Sequence, residues 1–260
     1  CFLTFFNGKK PVLFPDITYS FYSVWADLYR IPYEKQKLDD NMKIVPEDYY
    51  KENGGVIFPN PNAPTGLLMD LDSVRDIIEH NKDVVVIVDE AYIDFGGVSA
   101  KDLVNEYDNV LVVQTFSKSR SMAGMRIGYA FGSKELIKAL NDVKFSFNSY
   151  TMNMTSIDMG VASINDKKYF EECVERITAT RERTKEELTK LGFTFPDSKA
   201  NFIFATHKSV PAKEIFEKLK DLNIFVRYFA QPGIDNYLRI TIGTDEQMDK
   251  LISALSEIVG

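Results

Sequence analysis

The chain has 260 residues, 45% of them hydrophobic, with 31 Lys and Arg against 38 Asp and Glu for a net charge of -7. That balance argues against nucleic-acid partners and anionic membrane surfaces, which call for basic stripes, and no apolar run approaches the roughly 18 residues that cross a bilayer. Cys1 and Cys173 are too few for a disulfide framework, which points to a reducing, cytoplasmic setting, and His80 and His207 have no Cys or His at ligand spacing, so no metal is expected.

The opening CFLTFFNGKK runs from apolar to basic, the reverse of a secretory signal. Five short apolar runs then read as strands: PVLF at 11–14, GVIF at 55–58, VVVIVDE at 84–90, NVLVVQTF at 109–116 and IGYAFG at 127–132. They are rich in β-branched residues and do not alternate with polar ones, as expected of a parallel sheet covered on both faces. Between two of them, Leu71, Val74, Ile77 and Ile78 share one helical face. Alternation of this kind predicts an α/β unit over 1–150, with a mostly parallel central sheet and helices on both faces.

From about Tyr150 the pattern changes. Tyr150, Met154, Ile157, Val161 and Ile164 keep helical spacing, and FEECVERITATRERTKEELTKL continues as a long charged helix. We expect bridging helices over 151–180. A smaller α+β domain over 181–260 would contain ANFIFA, a helix with Pro211 in its first turn, IFVRYF, YLRITIG and a last helix. Thr244 and Gln247 predict a capping box at the start of that helix, with Met248, Leu251, Ile252 and Leu255 facing inward.

Chemistry concentrates at three strand ends of the first unit. FPNPNAPTG at 58–66 makes a rigid turn that carries Asn60 and Asn62 to the carboxyl edge of the sheet. Asp89 ends a strongly apolar strand, where a carboxylate is costly without a cation or donor. TFSKSRSMAGMRIG at 115–128 follows the next strand and brings Ser117, Lys118 and Arg126, with Gly124 expected to let the backbone turn between them. Each has an ordinary reading when taken singly. Asp89 would serve as a helix cap, Lys118 as a solvated loop charge, Asn62 as a turn residue, and Ser117 with Arg126 as a holder of any phosphate. Their order after successive strands argues for one site, because open α/β sheets bind ligands at the carboxyl ends of their strands.

Carrying PNPNAPTG, DEAY at 89–92, and SKS followed by AGMRIG, the chain resembles the fold-type I, pyridoxal-phosphate-dependent aminotransferases. ANFIFA and VRYFAQPGIDNYLRITIGT make it most similar to their histidinol-phosphate branch, over essentially the whole chain. The resemblance implies pyridoxal 5'-phosphate as cofactor and amino transfer between L-histidinol phosphate and 2-oxoglutarate in histidine biosynthesis. It also implies a homodimer. A phosphothreonine-type decarboxylase, an aromatic aminotransferase and a cofactor-free phosphate-ligand binding protein are the rival readings.

Residue by residue, Lys118 would join the cofactor's aldehyde and then move the substrate proton, and Asp89 would pair with the pyridine nitrogen. Tyr92 would donate to the phenolic oxygen, Ser117 and Arg126 would grip the phosphate, and Tyr19 would stack on the ring. Arg239 would clamp a substrate carboxylate or phosphate, since an arginine inside an apolar strand suits a bidentate anion. Arg227 would reach the substrate phosphate. Asn201 would approach the substrate or serve only as a strand-edge residue. Where many relatives place an asparagine before the second proline, this chain has Ala63, so either Asn62 takes over that contact or Tyr92 makes it alone. The same resemblance leads us to expect a further N-terminal segment, with a phosphate-binding turn and a tyrosine that enters the partner's site.

Overall fold

A computed structural model describes residues 1–260. The chain order is α1 Phe2–Phe5, β1 Val12–Pro15, α2 Phe21–Tyr29, β2 Tyr33–Gln36, β3 Val56–Pro59, α3 Leu71–Glu79, β4 Val86–Asp89, β5 Val110–Thr115 and β6 Gly128–Gly132. It continues with α4 Lys134–Phe147, α5 Met154–Asn165, α6 Lys167–Lys190, β7 Phe193–Thr194, β8 Phe202–His207, α7 Ala212–Asp221, β9 Arg227–Tyr228, β10 Leu238–Thr241 and α8 Asp245–Val259.

The first six strands form one sheet in the order β2-β1-β3-β4-β5-β6. Every pair is parallel except β5 with β6. The connection over 116–127 holds only a short helical turn at Ala123–Met125, with no helix to carry the chain across a face of the sheet as a parallel return usually does.

The apolar runs do not alternate with polar residues because both faces are buried. Leu13, Val56, Phe58, Val86, Val88, Val110 and Val112 pack with Val74, Ile77 and Ile78 of α3 on one side. Val12, Phe14, Ile57, Ile87 and Leu111 pack with Phe2, Tyr22 and Ala26 of α1 and α2 on the other, where α4 completes the layer. Asp70 caps α3 by accepting the Ser73 N–H at 2.8 Å.

The second sheet, β7-β8-β10-β9, is antiparallel and buries its core against α6, α7 and α8. The capping box of Thr244 and Gln247 is present, and Met248, Leu251 and Leu255 are buried. IFVRYF contributes only the two-residue β9.

The helix α6 runs unbroken through position 180 to Lys190. Its buried Arg181 donates to the Phe95 carbonyl at 2.8 Å and the Ala200 carbonyl at 2.9 Å, which ties the helix to both sheet units. The helical spacing from Met154 to Ile164 is realised in α5, with Met154, Ile157, Val161 and Ile164 exposed rather than packed. No helix is long and apolar enough to cross a membrane.

Candidate active site

Four connections leave the carboxyl edge of the large sheet side by side. Register sets their level: Pro59 pairs with Asp89, and Asp89 with Val113. Residues 17–21 after β1, Ala63 and Pro64 after β3, Tyr92 after β4 and Lys118 after β5 form one wall of a cleft of about 550 Å³. The small sheet supplies the facing wall, with Arg227, Phe229 and Arg239. An adjoining recess of about 290 Å³ is lined by Ser117, Lys118, Asn201 and Arg239 among others. Tyr19, Tyr92, Lys118, Arg227 and Arg239 thus meet at one cleft, and Ser117 and Asn201 border it.

The Lys118 ammonium lies over the Tyr92 ring, 5.2 Å from its centroid, and joins none of the chain's ion pairs. Tyr92 is held edge-on against Phe202 at 5.1 Å, beside Ala63 and Ala200. Asp89 stands behind this wall and borders a separate apolar cavity of about 320 Å³. Its Oδ2 accepts from the Tyr22 hydroxyl at 2.7 Å and its Oδ1 from the Ala91 N–H at 3.2 Å. Burial raises the Asp89 carboxyl above the usual range, while the two hydrogen bonds and the Lys118 charge pull it back. Burial likewise raises the Tyr19 hydroxyl, the Asp89 and Tyr92 charges add to the rise, and the Arg126 charge opposes it.

Arg227 and Arg239 are direct cross-strand partners. Like charges in that position repel. The Arg239 guanidinium lies 5.2 Å from the Phe202 centroid and 5.9 Å from that of Phe229, and its Nε is buried without a hydrogen-bond partner. A buried donor left open costs free energy, so this pair suits an anion delivered to the cleft.

The turn after β5 is braced from both sides. Thr115 Oγ1 donates to Ser117 Oγ at 2.9 Å, and Thr115 also lies 3.1 Å from the Ile127 carbonyl. Buried Ser119 bonds to Asp94. Arg120 donates to the Ser163 carbonyl at 2.7 Å and lies 4.1 Å over Phe170, which fastens the turn to α5 and α6. The left-handed backbone falls at Ser121 and Arg126, with φ of 55° and 57°, rather than at Gly124. Gly124 has no neighbour within 4 Å of a Cβ built on it, so neither its φ nor close packing demands glycine. Arg126 is exposed, donates to the Ala123 carbonyl at 2.8 Å and lines none of the three cavities.

Asn62 lines neither the cleft nor the adjoining recess. It is buried, its Nδ2 donates to the Ile17 carbonyl at 3.0 Å, and its Oδ1 accepts from Thr18 Oγ1 at 3.0 Å. These bonds hold the 17–18 segment beside the cleft and use one of the two amide hydrogens, while Tyr92 lines the cleft itself. Asn60 is similarly engaged, exchanging two bonds with the Met69 backbone. Residue spacing alone did not single out Tyr22 or Thr115. The signal for Tyr22 is its position three residues after Tyr19 at a helix start, which sets both rings on one face.

A family model described as aminotransferase class I and II matches residues 1–255. The chain belongs to that family. It is 54% identical over 258 residues to a histidinol-phosphate aminotransferase of Clostridium beijerinckii, spanning 99% of this chain and 72% of the relative. It is 50% identical over 256 residues to one from Lactococcus lactis subsp. cremoris, spanning 98% of this chain and 72% of that relative. The solved histidinol-phosphate aminotransferase of Clostridium acetobutylicum superposes with a TM-score of 0.91 at 24% identity, covering 98% of this chain and 79% of that one. The Sinorhizobium meliloti enzyme, solved in complex with pyridoxal-5'-phosphate, superposes with a TM-score of 0.87 at 22% identity over 96% of this chain and 70% of that chain. These two structures share the fold-type I architecture of a mostly parallel sheet with helices on both faces.

Proposed function

We propose that this aminotransferase moves an amino group between L-histidinol phosphate and 2-oxoglutarate with pyridoxal 5'-phosphate as cofactor. The donor set fits that cofactor. Asp89 is a carboxylate at a buried strand end with acceptor capacity to spare, suited to a protonated ring nitrogen. Lys118 offers an amine free of ion pairs. Tyr92 stands beside it for the phenolic oxygen and Tyr19 for the ring face. Ser117, which lines the recess and whose hydroxyl Thr115 orients, is our assignment for the phosphate; Arg126, outside the cavity lining but with its charge felt at Tyr19, is the cation we assign beside it. When bound, the cofactor supplies the aldehyde that exchanges amines and the ring that accepts an electron pair from the substrate Cα.

The residues do the rest. Lys118 takes the proton from the substrate Cα and returns it to the cofactor side, a task for an amine positioned in the cleft and held by no ion pair. Phe202 fixes Tyr92 beside Lys118.

The observation that carries the substrate reading is the opposed pair Arg227 and Arg239, with Arg239 Nε unpartnered. Two facing guanidiniums suit a dianion better than a single carboxylate, and a phosphate ester near neutral pH is one, its second pKa being about 6. 2-Oxoglutarate, a dicarboxylate, satisfies the same pair in the return half. Asn201 borders the recess for substrate contact. We place the working form as a homodimer in a reducing cytoplasm, a reading supported by the exposed apolar side chains Phe145, Phe147, Met154, Ile157 and Val161 on α4 and α5.

Adding L-histidinol phosphate to the cofactor-loaded protein and following its visible absorption band tests this. We expect bleaching, recovery on adding 2-oxoglutarate, and at least about a hundredfold weaker response to histidinol without its phosphate, as loss of a charge-assisted anion contact implies. Absence of bleaching, with carbon dioxide released from a phosphothreonine-like acid or equal bleaching by an aromatic amino acid, would overturn the substrate assignment.

A further inference from the structure

Three tyrosines stand outside the chemistry assigned so far, and one of them touches it. Tyr49 is 1% exposed and packs in the core with its hydroxyl unpartnered, as filler of the layer under α3. Tyr107 lies at the surface, bonded to Arg75 and Glu79. Tyr22, also 1% exposed, differs from both because its hydroxyl ends on Asp89 Oδ2 at 2.7 Å.

The rest of the ring is fixed as firmly as the hydroxyl. Phe14 meets it edge-on with centroids 5.8 Å apart, and Phe2 and Trp25 lie at 6.1 and 6.3 Å. Tyr19 stands perpendicular to it, 5.7 Å away at an interplanar angle of 85°. Tyr19 is otherwise 43% exposed, so this contact and its neighbours Phe21 and Trp25 are what hold it at the mouth of the cleft. A ring locked on three sides carries its hydroxyl to one place, and with Ala91 holding Oδ1 the carboxylate plane is set.

We propose that Tyr22 is a positioning residue of the cofactor site, its hydroxyl orienting the Asp89 carboxylate and its ring propping Tyr19, so that one side chain aligns the groups assigned to the cofactor's ring nitrogen and ring face. This rests on the cofactor reading above. Tyr22 touches no reacting atom. It acts through its two neighbours, and it keeps Asp89 in place both before the cofactor arrives and while it is bound. A tyrosine kept only to fill the core would make neither connection.

The test is equilibrium binding to the full-length apoprotein of two probes, pyridoxal phosphate and its analogue with carbon in place of the ring nitrogen. Tyr22→Phe keeps the ring and removes the hydroxyl. We expect it to weaken pyridoxal phosphate about tenfold, the scale of one hydrogen bond to a charged group, and to leave affinity for the carbon analogue unchanged. On an Asp89→Asn background the same substitution should have no further effect on pyridoxal phosphate. Tyr22→Leu, which also removes the prop under Tyr19, should weaken both probes. Equal loss of both probes in Tyr22→Phe, or no loss of either beside a lowered Tm, would overturn the inference and leave Tyr22 a packing residue. A parent protein that does not bind pyridoxal phosphate would instead overturn the cofactor reading, and this inference with it.

Discussion

Asp89 and Glu90 are consecutive residues at the end of β4, and they leave it toward opposite surroundings. Glu90, 1% exposed, accepts from Ser99 Oγ at 2.5 Å, the Ala100 N–H at 2.6 Å and Gln114 Nε2 at 2.7 Å. Asp89 accepts from Tyr22 and Ala91 alone and feels the charge of Lys118. Burial raises the carboxyls of both. Burial therefore does not separate the two roles; spare acceptor capacity does. A carboxylate offers about four lone-pair sites. Glu90 fills three from within the chain and fastens β4 and β5 to the segment at 99–100. Asp89 fills two and keeps room for a cation from outside.

The largest effect that sharpens this contrast lies on the Asp89 side. Lys118→Ala should lower turnover of histidinol phosphate by about 10⁴-fold or more, the loss expected when both attachment and proton transfer disappear, in steady-state assays. Because Lys118 has no ion pair to lose, the Tm of the apoprotein should stay within about 2 °C. Normal turnover in that variant would break the site assignment.

On the closed side, Glu90→Ala strands three donors at once. Urea unfolding should show a loss of about 2–4 kcal/mol, and turnover per folded molecule should be nearly unchanged. Unaltered stability would remove the distinction between the two acids.

The smallest effect concerns pH. The folded chain holds the Asp89 proton more tightly than the unfolded chain, because its carboxyl is raised by burial. Folded protein binds more protons in the window between the two values, so stability falls as pH rises through it, and the cost persists above. Asp89→Asn should therefore raise the apoprotein Tm at pH 8, with no gain in acid where the carboxyl is protonated in both states. The same variant should hold pyridoxal phosphate more weakly. A lowered Tm at pH 8 would mean that Asp89 is already satisfied inside the chain, as Glu90 is.

Much of this was legible in the amino-acid sequence, for physical reasons that differ by element. The runs that became β1, β3, β4 and β5 announce themselves because strands buried on both faces admit little but β-branched and aromatic residues. The edge strand β2 did not, since its YEKQ is half exposed and pairs on one side only. Helix α2 hid for a related reason: Phe21, Val24 and Leu28 stay exposed, so its apolar residues trace no single face. The antiparallel direction of β6 follows from the lack of a crossover helix between it and β5, not from its composition.

The cleft was legible as residue types at strand ends. Which way Asn62 points was not, because an amide that can bond the cofactor can equally bond the Ile17 carbonyl and the Thr18 hydroxyl. Arg227 facing Arg239 was hidden too, because strand register decides it.

The central claim is that Lys118 is where the cofactor attaches. Borohydride reduction of the protein loaded with pyridoxal phosphate, followed by peptide mass mapping, reads this directly. The account predicts one stable cofactor adduct, on the peptide that carries Lys118. An adduct on another lysine such as Lys199, or none at all from protein that shows the visible band, would contradict it.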